Sequence, residues 1–168
     1  MIILISMRLK FGVVSLLLFI AGCRSVDVSV QPHEDAAQLQ ALALAVHEKV
    51  NAHRAAKNLP ELKLDARISK LARRQSAAMA QGGEFSHVGF HTIRKRQINR
   101  IIPYRHVGEN LAYNTNADDP AGRAVEMWQA SPSHLANMER SYYRITGIAA
   151  AKSASGSIYF TQLFVCPR

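Results

Sequence analysis

Trp128-Gln129-Ala130-Ser131-Pro132-Ser133-His134 follows, in chain order, Phe85-Ser86-His87 and Gly108-Glu109-Asn110-Leu111-Ala112. With Glu126 just ahead of the tryptophan, these segments carry two imidazoles and two carboxylates: His87, Glu109, Glu126 and His134. Residues so far apart cannot share one helix face, so they meet only if the fold gathers them. A gathered set of this kind is polar and titratable, suited to binding a metal ion or polarising a ligand.

The segments sit on a chain that reads helix first and strand last. Leu39, Leu42, Val46 and Val50 recur at three- and four-residue steps, with Glu48, Lys49 and Arg54 off that stripe. This helix is expected to stop near Lys57-Asn58, ahead of Pro60. Asp65 is a good N-cap for a second helix that turns Ile68, Leu71, Ala72 and Met79 inward and ends at Gly82-Gly83. His87 then lies in the loop leaving that helix. Arg94 to Arg105 is basic with interleaved isoleucines, a short amphipathic helix broken at Pro103. Asp118-Asp119-Pro120 and Ser131-Pro132 each pair a cap with a first-turn proline, so a longer helix and then a short one containing His134 are expected. Glu109, between Gly108 and Asn110, reads as part of a tight polar turn, with Leu111 to Tyr113 a strand after it. Ile145–Ala151 and Ser157–Val165 alternate as strands; the latter has Ile158, Phe160 and Phe164 on one face and Tyr159, Thr161, Leu163 and Val165 on the other. This order predicts an α+β fold of layered helices and sheet.

Outward from this domain, the first 22 residues read as an export signal. Arg8 and Lys10 precede an apolar run from Phe11 to Ile20, about half the ~20 residues that span a bilayer as a helix. Met7 is a better start than Met1, because the basic residues then follow it at once. Ile20-Ala21-Gly22-Cys23 resembles the lipobox of bacterial lipoproteins, which implies cleavage before Cys23 and acylation of its thiol. Arg24 rather than Asp after that cysteine implies outer-membrane sorting in a Gram-negative cell. Residues 23–38, polar and containing Pro32, read as a tether, and 39–168 as one domain. With Cys23 acylated, Cys166 has no intramolecular partner, so no disulfide framework is expected and the domain must rest on its core.

The formal charge of +9 falls to +7 once Arg8 and Lys10 leave with the signal. A basic exported domain is drawn to anionic envelope polymers and lipid head groups; nucleic acid is not an expected partner of a tethered extracytoplasmic protein.

Read together, Asn51-x-x-Arg54, Leu62-x-Leu64-Asp65, Phe85-Ser86-His87, Gly108-Glu109-Asn110-Leu111-Ala112, Trp128-x-x-Ser131-Pro132-Ser133-His134-x-x-Asn137 and Tyr159-Phe160-Thr161-Gln162 resemble the CAP superfamily of cysteine-rich secretory, antigen 5 and pathogenesis-related proteins, in its short bacterial branch. The resemblance runs from Leu39 to Val165. It implies a three-layer α-β-α sandwich with a mostly antiparallel central sheet and a large open cleft holding two His and two Glu. His87 and Glu109 match their motifs directly. Tyr159 stands where animal and plant members carry the second His, so His134 is the substitute. Ser131 stands where their second Glu follows the tryptophan, so Glu126 is assigned instead.

Other polar residues near these motifs have ordinary readings. His91 lies four after His87, but Gly89 between them argues against one helix presenting both. His106 lies close to Glu109 in sequence only, and Trp128 reads as core. Asn110 and Ser133 are placed to orient the cluster by hydrogen bonds. Gly-x-Ser-x-Gly and His-Glu-x-x-His are absent from the sequence. Ser86 and Ser133 each neighbour a histidine, which does not by itself give attack geometry.

The chain therefore reads as a lipid-anchored extracytoplasmic protein that binds a lipid, a metal ion or an envelope component in its His/Glu cleft, with membrane contact through the anchor. Two alternatives stay open: a metal-dependent hydrolase of envelope peptide or peptidoglycan, and a protein-interaction module. No cofactor is required by this reading; a weakly held divalent ion such as Zn²⁺, on His87 and His134, is compatible with it.

Overall fold

The computed structural model describes residues 31–168, with side chains from Asp35 onward. The export signal, Cys23 and the first part of the expected tether lie outside the described residues. Ten elements follow in order: α1 (Gln31–Ala56), β1 (Lys63–Leu64), α2 (Ala66–Ala80), a π-helical turn (Phe90–Arg94), α3 (Lys95–Ile101), β2 (Tyr104–Asn114), α4 (Pro120–Gln129), α5 (Pro132–Glu139), β3 (Ile145–Lys152) and β4 (Ile158–Pro167). None of the described helices is long and apolar enough to cross a membrane.

The strands form one mixed sheet in the order β1-β3-β4-β2, with β1 parallel to β3 and the other pairs antiparallel. Alternation along β4 explains the two covering layers. Phe160 and Phe164 join Val46, Val50, Trp128 and Met138 in a core beneath α1, α4 and α5. Leu163 and Val165 join Ile68, Leu71, Phe90 and Ile98 in a second core beneath α2 and α3. Sheet between two helical layers is the expected α-β-α sandwich.

The caps work as their residue types dictate. Asp65 accepts from the backbone N–H groups of Arg67 and Ile68 at 2.8 and 3.2 Å, and Asp119 accepts from that of Gly122 at 2.8 Å. Pro120 and Pro132 occupy the first turns of α4 and α5. At Gly147 the backbone of α2 lies so close that an added Cβ would strike the Ile68 carbonyl carbon and the Ser69 nitrogen. Glycine is thus what lets α2 settle on β3.

Two motif residues of α1 are structural ties. Asn51 pairs both backbone groups of Leu62, accepting from its N–H at 2.9 Å and donating to its carbonyl at 3.1 Å. Arg54 is fully buried and donates to the carbonyls of Pro60, Met138, Arg140 and Tyr143. One guanidinium, with five N–H donors in a fixed plane, closes the end of α1 onto the α5–β3 connection.

The structure departs from the sequence reading in two places that shape the site. Among the described residues helix α1 already includes Gln31–Gln38, which the sequence assigns to the tether. Residues Asp35 to Gln38 are exposed there, which is why they show no apolar stripe. Gly108-Glu109-Asn110 is not a turn. It lies inside β2, with Glu109 opposite Leu163 and Asn110 opposite Gln162 on β4. Two buried polar side chains in a strand read as a turn because their partners are remote in sequence.

Candidate functional site

Strand β2 is the outer strand of the sheet on the side away from β1. Its side chains alternate between the layers. Glu109 turns toward the π-helical turn and the loop that carries His87, whereas Asn110 turns toward α5.

Glu109 is buried and its carboxylate is fully engaged. Arg94 donates to it through Nε (2.5 Å to Oε2) and Nη2 (2.7 Å to Oε1), a two-pronged ion pair. His87 donates from Nδ1 to Oε1 at 2.9 Å. Arg94 is itself buried, and its Nη1 reaches the Gln75 side chain at 2.7 Å and the Val88 carbonyl at 3.1 Å. Gln75 in turn donates to the Ser86 carbonyl at 3.2 Å, fixing the loop that carries His87.

The local backbone explains how Arg94 arrives there. Gly89 has φ 79°, a left-handed conformation suited to glycine, and starts the π-helical turn. The Arg94 N–H donates to the Gly89 carbonyl at 2.9 Å, one residue longer than an α-helical step. The wider turn puts Arg94 inward, off the exposed basic face of α3.

The second imidazole comes from the opposite layer. Asn110 donates to the His134 carbonyl at 3.0 Å. Asn137 donates to the Asn110 side-chain oxygen at 2.9 Å and to the Glu109 carbonyl at 3.4 Å. Trp128 is fully buried and its Nε1 donates to the Leu111 carbonyl at 2.9 Å. These bonds hold α4 and α5 against β2 and bring the His134 ring to 6.1 Å from that of His87, centroid to centroid, at 43°. Burial first, and the neighbouring His87 second, hold the His134 imidazole below its ordinary value, so its neutral form is favoured.

His87, Glu109, Ser133, His134 and Asn137 line one cavity of about 380 Å³, with His91 and Lys95 at one end. The His87 side chain is 49% exposed there. Because Nδ1–H is committed to Glu109, the neutral ring presents Nε2 as an acceptor. The site therefore offers two imidazoles above a neutralised carboxylate. Among the described residues, no three His, Cys, Asp or Glu side chains are placed to hold one metal ion.

Three of the four expected cleft residues, His87, Glu109 and His134, come together. Glu126 does not: it is exposed on α4, pairs with Arg123 at 3.3 Å and does not line the cavity. It lies two residues from the inward-facing Trp128, about 200° around the helix, so it must point outward. His106 packs against Tyr142 rather than the cleft. His91 contacts Phe90 from within the π-helical turn and reaches the cavity, although Gly89 interrupts any helix from His87. Arg94 and Gln75 are the site residues that sequence reasoning missed. Arg94 carried only the signal of one more arginine in a basic run.

The family model described as "CAP: Cysteine-rich secretory protein family" matches residues 47–166, and the chain belongs to this family. No curated protein sequence matches it. Among solved structures it resembles an outer surface protein of Borrelia burgdorferi, at 21% identity and TM-score 0.64, over 73% of this chain and 90% of that one. It also resembles an extracellular protein containing a SCP domain from Bacillus anthracis, at 21% identity and TM-score 0.67, over 80% of this chain and 43% of that one. A cysteine-rich secretory protein of Staphylococcus aureus matches at 20% identity and TM-score 0.60, over 77% and 40% of the two chains. The chain thus spans most of the first protein and less than half of the other two; at these identities the likeness concerns the fold.

Proposed function

We propose that this protein is an extracytoplasmic binding protein, anchored by lipid at Cys23, whose cleft takes its ligand on His87 and His134. The observation that carries the reading is the commitment of Glu109 to Arg94 and His87. Both carboxylate oxygens are bonded, so Glu109 orients His87 instead of acting as a free base. Two imidazoles, His134 with its neutral form favoured and His87 with Nε2 turned outward, suit a hydrogen-bonding ligand or a divalent ion. For an ion, His87 and His134 supply two nitrogens and solvent completes the shell, which fits an exchangeable site rather than a closed structural one.

Zn²⁺ calorimetry at neutral and mildly acidic pH tests the metal form of the reading. Binding is expected to weaken as pH falls below the ordinary histidine value of ~6.5, because the ligating form is neutral. The His87→Ala/His134→Ala double variant is expected to lose it. Equal binding by wild type and double variant excludes the imidazoles as metal ligands and leaves an organic ligand or protein as the cleft's occupant. Hydrolysis of envelope peptide that depends on both imidazoles would make the protein an enzyme instead. The anchor is tested separately: Cys23→Ala should abolish membrane association and the acyl mass of the mature chain.

A further inference from the structure

A second cavity, of about 530 Å³, opens beside the His87/His134 cleft, and His91 and Lys95 line both. Its other walls include Arg96 and Arg100 of α3 and Arg168, and no acidic side chain lines it. Arg168 is held against the start of β2: its N–H donates to the Pro103 carbonyl at 3.1 Å and its Nε to the Tyr104 carbonyl at 3.3 Å. The sequence reinforces the local imbalance, since no Asp or Glu occurs between Glu84 and Glu109 or after Glu139. Among the described residues, none of Lys95, Arg96, Arg100 and Arg168 pairs with a carboxylate.

We propose that this trough binds the phosphate groups of a ligand carrying several of them, and that through His91 and Lys95 it is continuous with the cleft. The proposal rests on the reading that the cleft binds a ligand and names that ligand's charged part. Three guanidinium groups and an ammonium around one concave space, none of them paired with a carboxylate among the described residues, set up a local positive potential that attracts an anion of high charge. Guanidinium forks match phosphate oxygens two at a time, and each phosphate brings more charge than a carboxylate. Arg96 and Arg100 stand one turn apart on α3, so successive phosphates of a linear ligand are met by successive side chains. The rest of the ligand then lies toward His87 and His134.

The test is calorimetric titration of the full-length chain, in neutral detergent, with sodium tripolyphosphate. Wild type is expected to bind, more weakly as salt rises. The double variant R96Q/R100Q is expected to weaken binding about tenfold or more. R73Q/R74Q serves as control: it removes the same charge from the exposed face of α2, at a separate basic surface, and is expected to bind as wild type does. All four positions are exposed, so none of these changes threatens the core. Absence of tripolyphosphate binding, or equal weakening by the two double variants, overturns the proposal. Mixed micelles containing phosphatidylglycerol, set against phosphatidylcholine, then distinguish the source. Competition by the former alone assigns lipid head groups; competition by neither assigns a soluble phosphorylated ligand. Because H87A/H134A leaves the trough intact, tripolyphosphate binding by that variant separates failure of the cleft reading from failure of this one.

Discussion

The His134 ring approaches that of His87 to 6.1 Å although the two residues belong to opposite helical layers. Only the width of β2 separates their elements. The site is therefore a seam between layers, and its geometry depends on the bonds that seat α5 on that strand: Asn110 to the His134 carbonyl, and Asn137 to Asn110 and Glu109.

The seam has a pH signature. Burial and the nearby His87 depress the His134 value, so the folded protein takes up this proton at lower pH than the unfolded chain. The stability contributed by neutral His134 is complete above the unfolded value of ~6.5, is lost as pH falls below it toward the folded value, and then levels off. Ring titration by NMR should place the His134 midpoint below 6.5. His87→Gln should raise that midpoint partway, since the burial remains. An unchanged midpoint would assign the whole shift to burial.

Arg94 is the compensating charge for a buried carboxylate. Arg94→Met leaves Glu109 without its cation and should cost ~3–5 kcal/mol in urea denaturation. Arg94→Met with Glu109→Leu should recover much of that, because it removes the stranded charge as well. A loss below about 1 kcal/mol for Arg94→Met would show that water reaches Glu109 and that the pair is not structurally required.

Gly147→Ala should be among the costliest single-methyl additions in the chain. The new Cβ would meet the backbone of α2 rather than a movable side chain. A destabilisation of ~1–3 kcal/mol is expected, with α2 displaced from β3. Thermal unfolding measures the first and a crystal structure of the variant the second.

Glu126→Gln should do almost nothing. Its carboxylate is exposed and its partner Arg123 is exposed as well. Stability should stay within about 0.5 kcal/mol. Binding of Zn²⁺ should be unchanged, and a measurable loss would return Glu126 to the site.

Residues that act locally were legible in the sequence. The caps Asp65 and Asp119 fix helix starts because a cap's partners lie within one turn, and Ser131-Pro132 marks the start of α5 through the first-turn proline alone, since the Ser131 side chain makes no capping bond. Alternation on β4 gave both sheet faces, and the His87, Glu109 and His134 motifs gave three members of the site. The strand placement of Glu109 was not legible, because what satisfies it is Arg94, delivered from fifteen residues away by a π-helical turn. Glu126 is a different failure. The helix period places Glu126 about 200° from Trp128, on the solvent side of α4.

Trp128 and Asn137 occupy carbonyls of Leu111 and Glu109 on the sheet's outer strand, with α4 and α5 laid against it. Those two carbonyls are thereby unavailable to another chain's backbone. At those positions the sheet edge is shielded from edge-to-edge pairing with another copy. A peptide adding as a strand along Glu109–Leu111 would have to displace the Trp128 and Asn137 bonds that seat α4 and α5, which disfavours that mode of capture at the site.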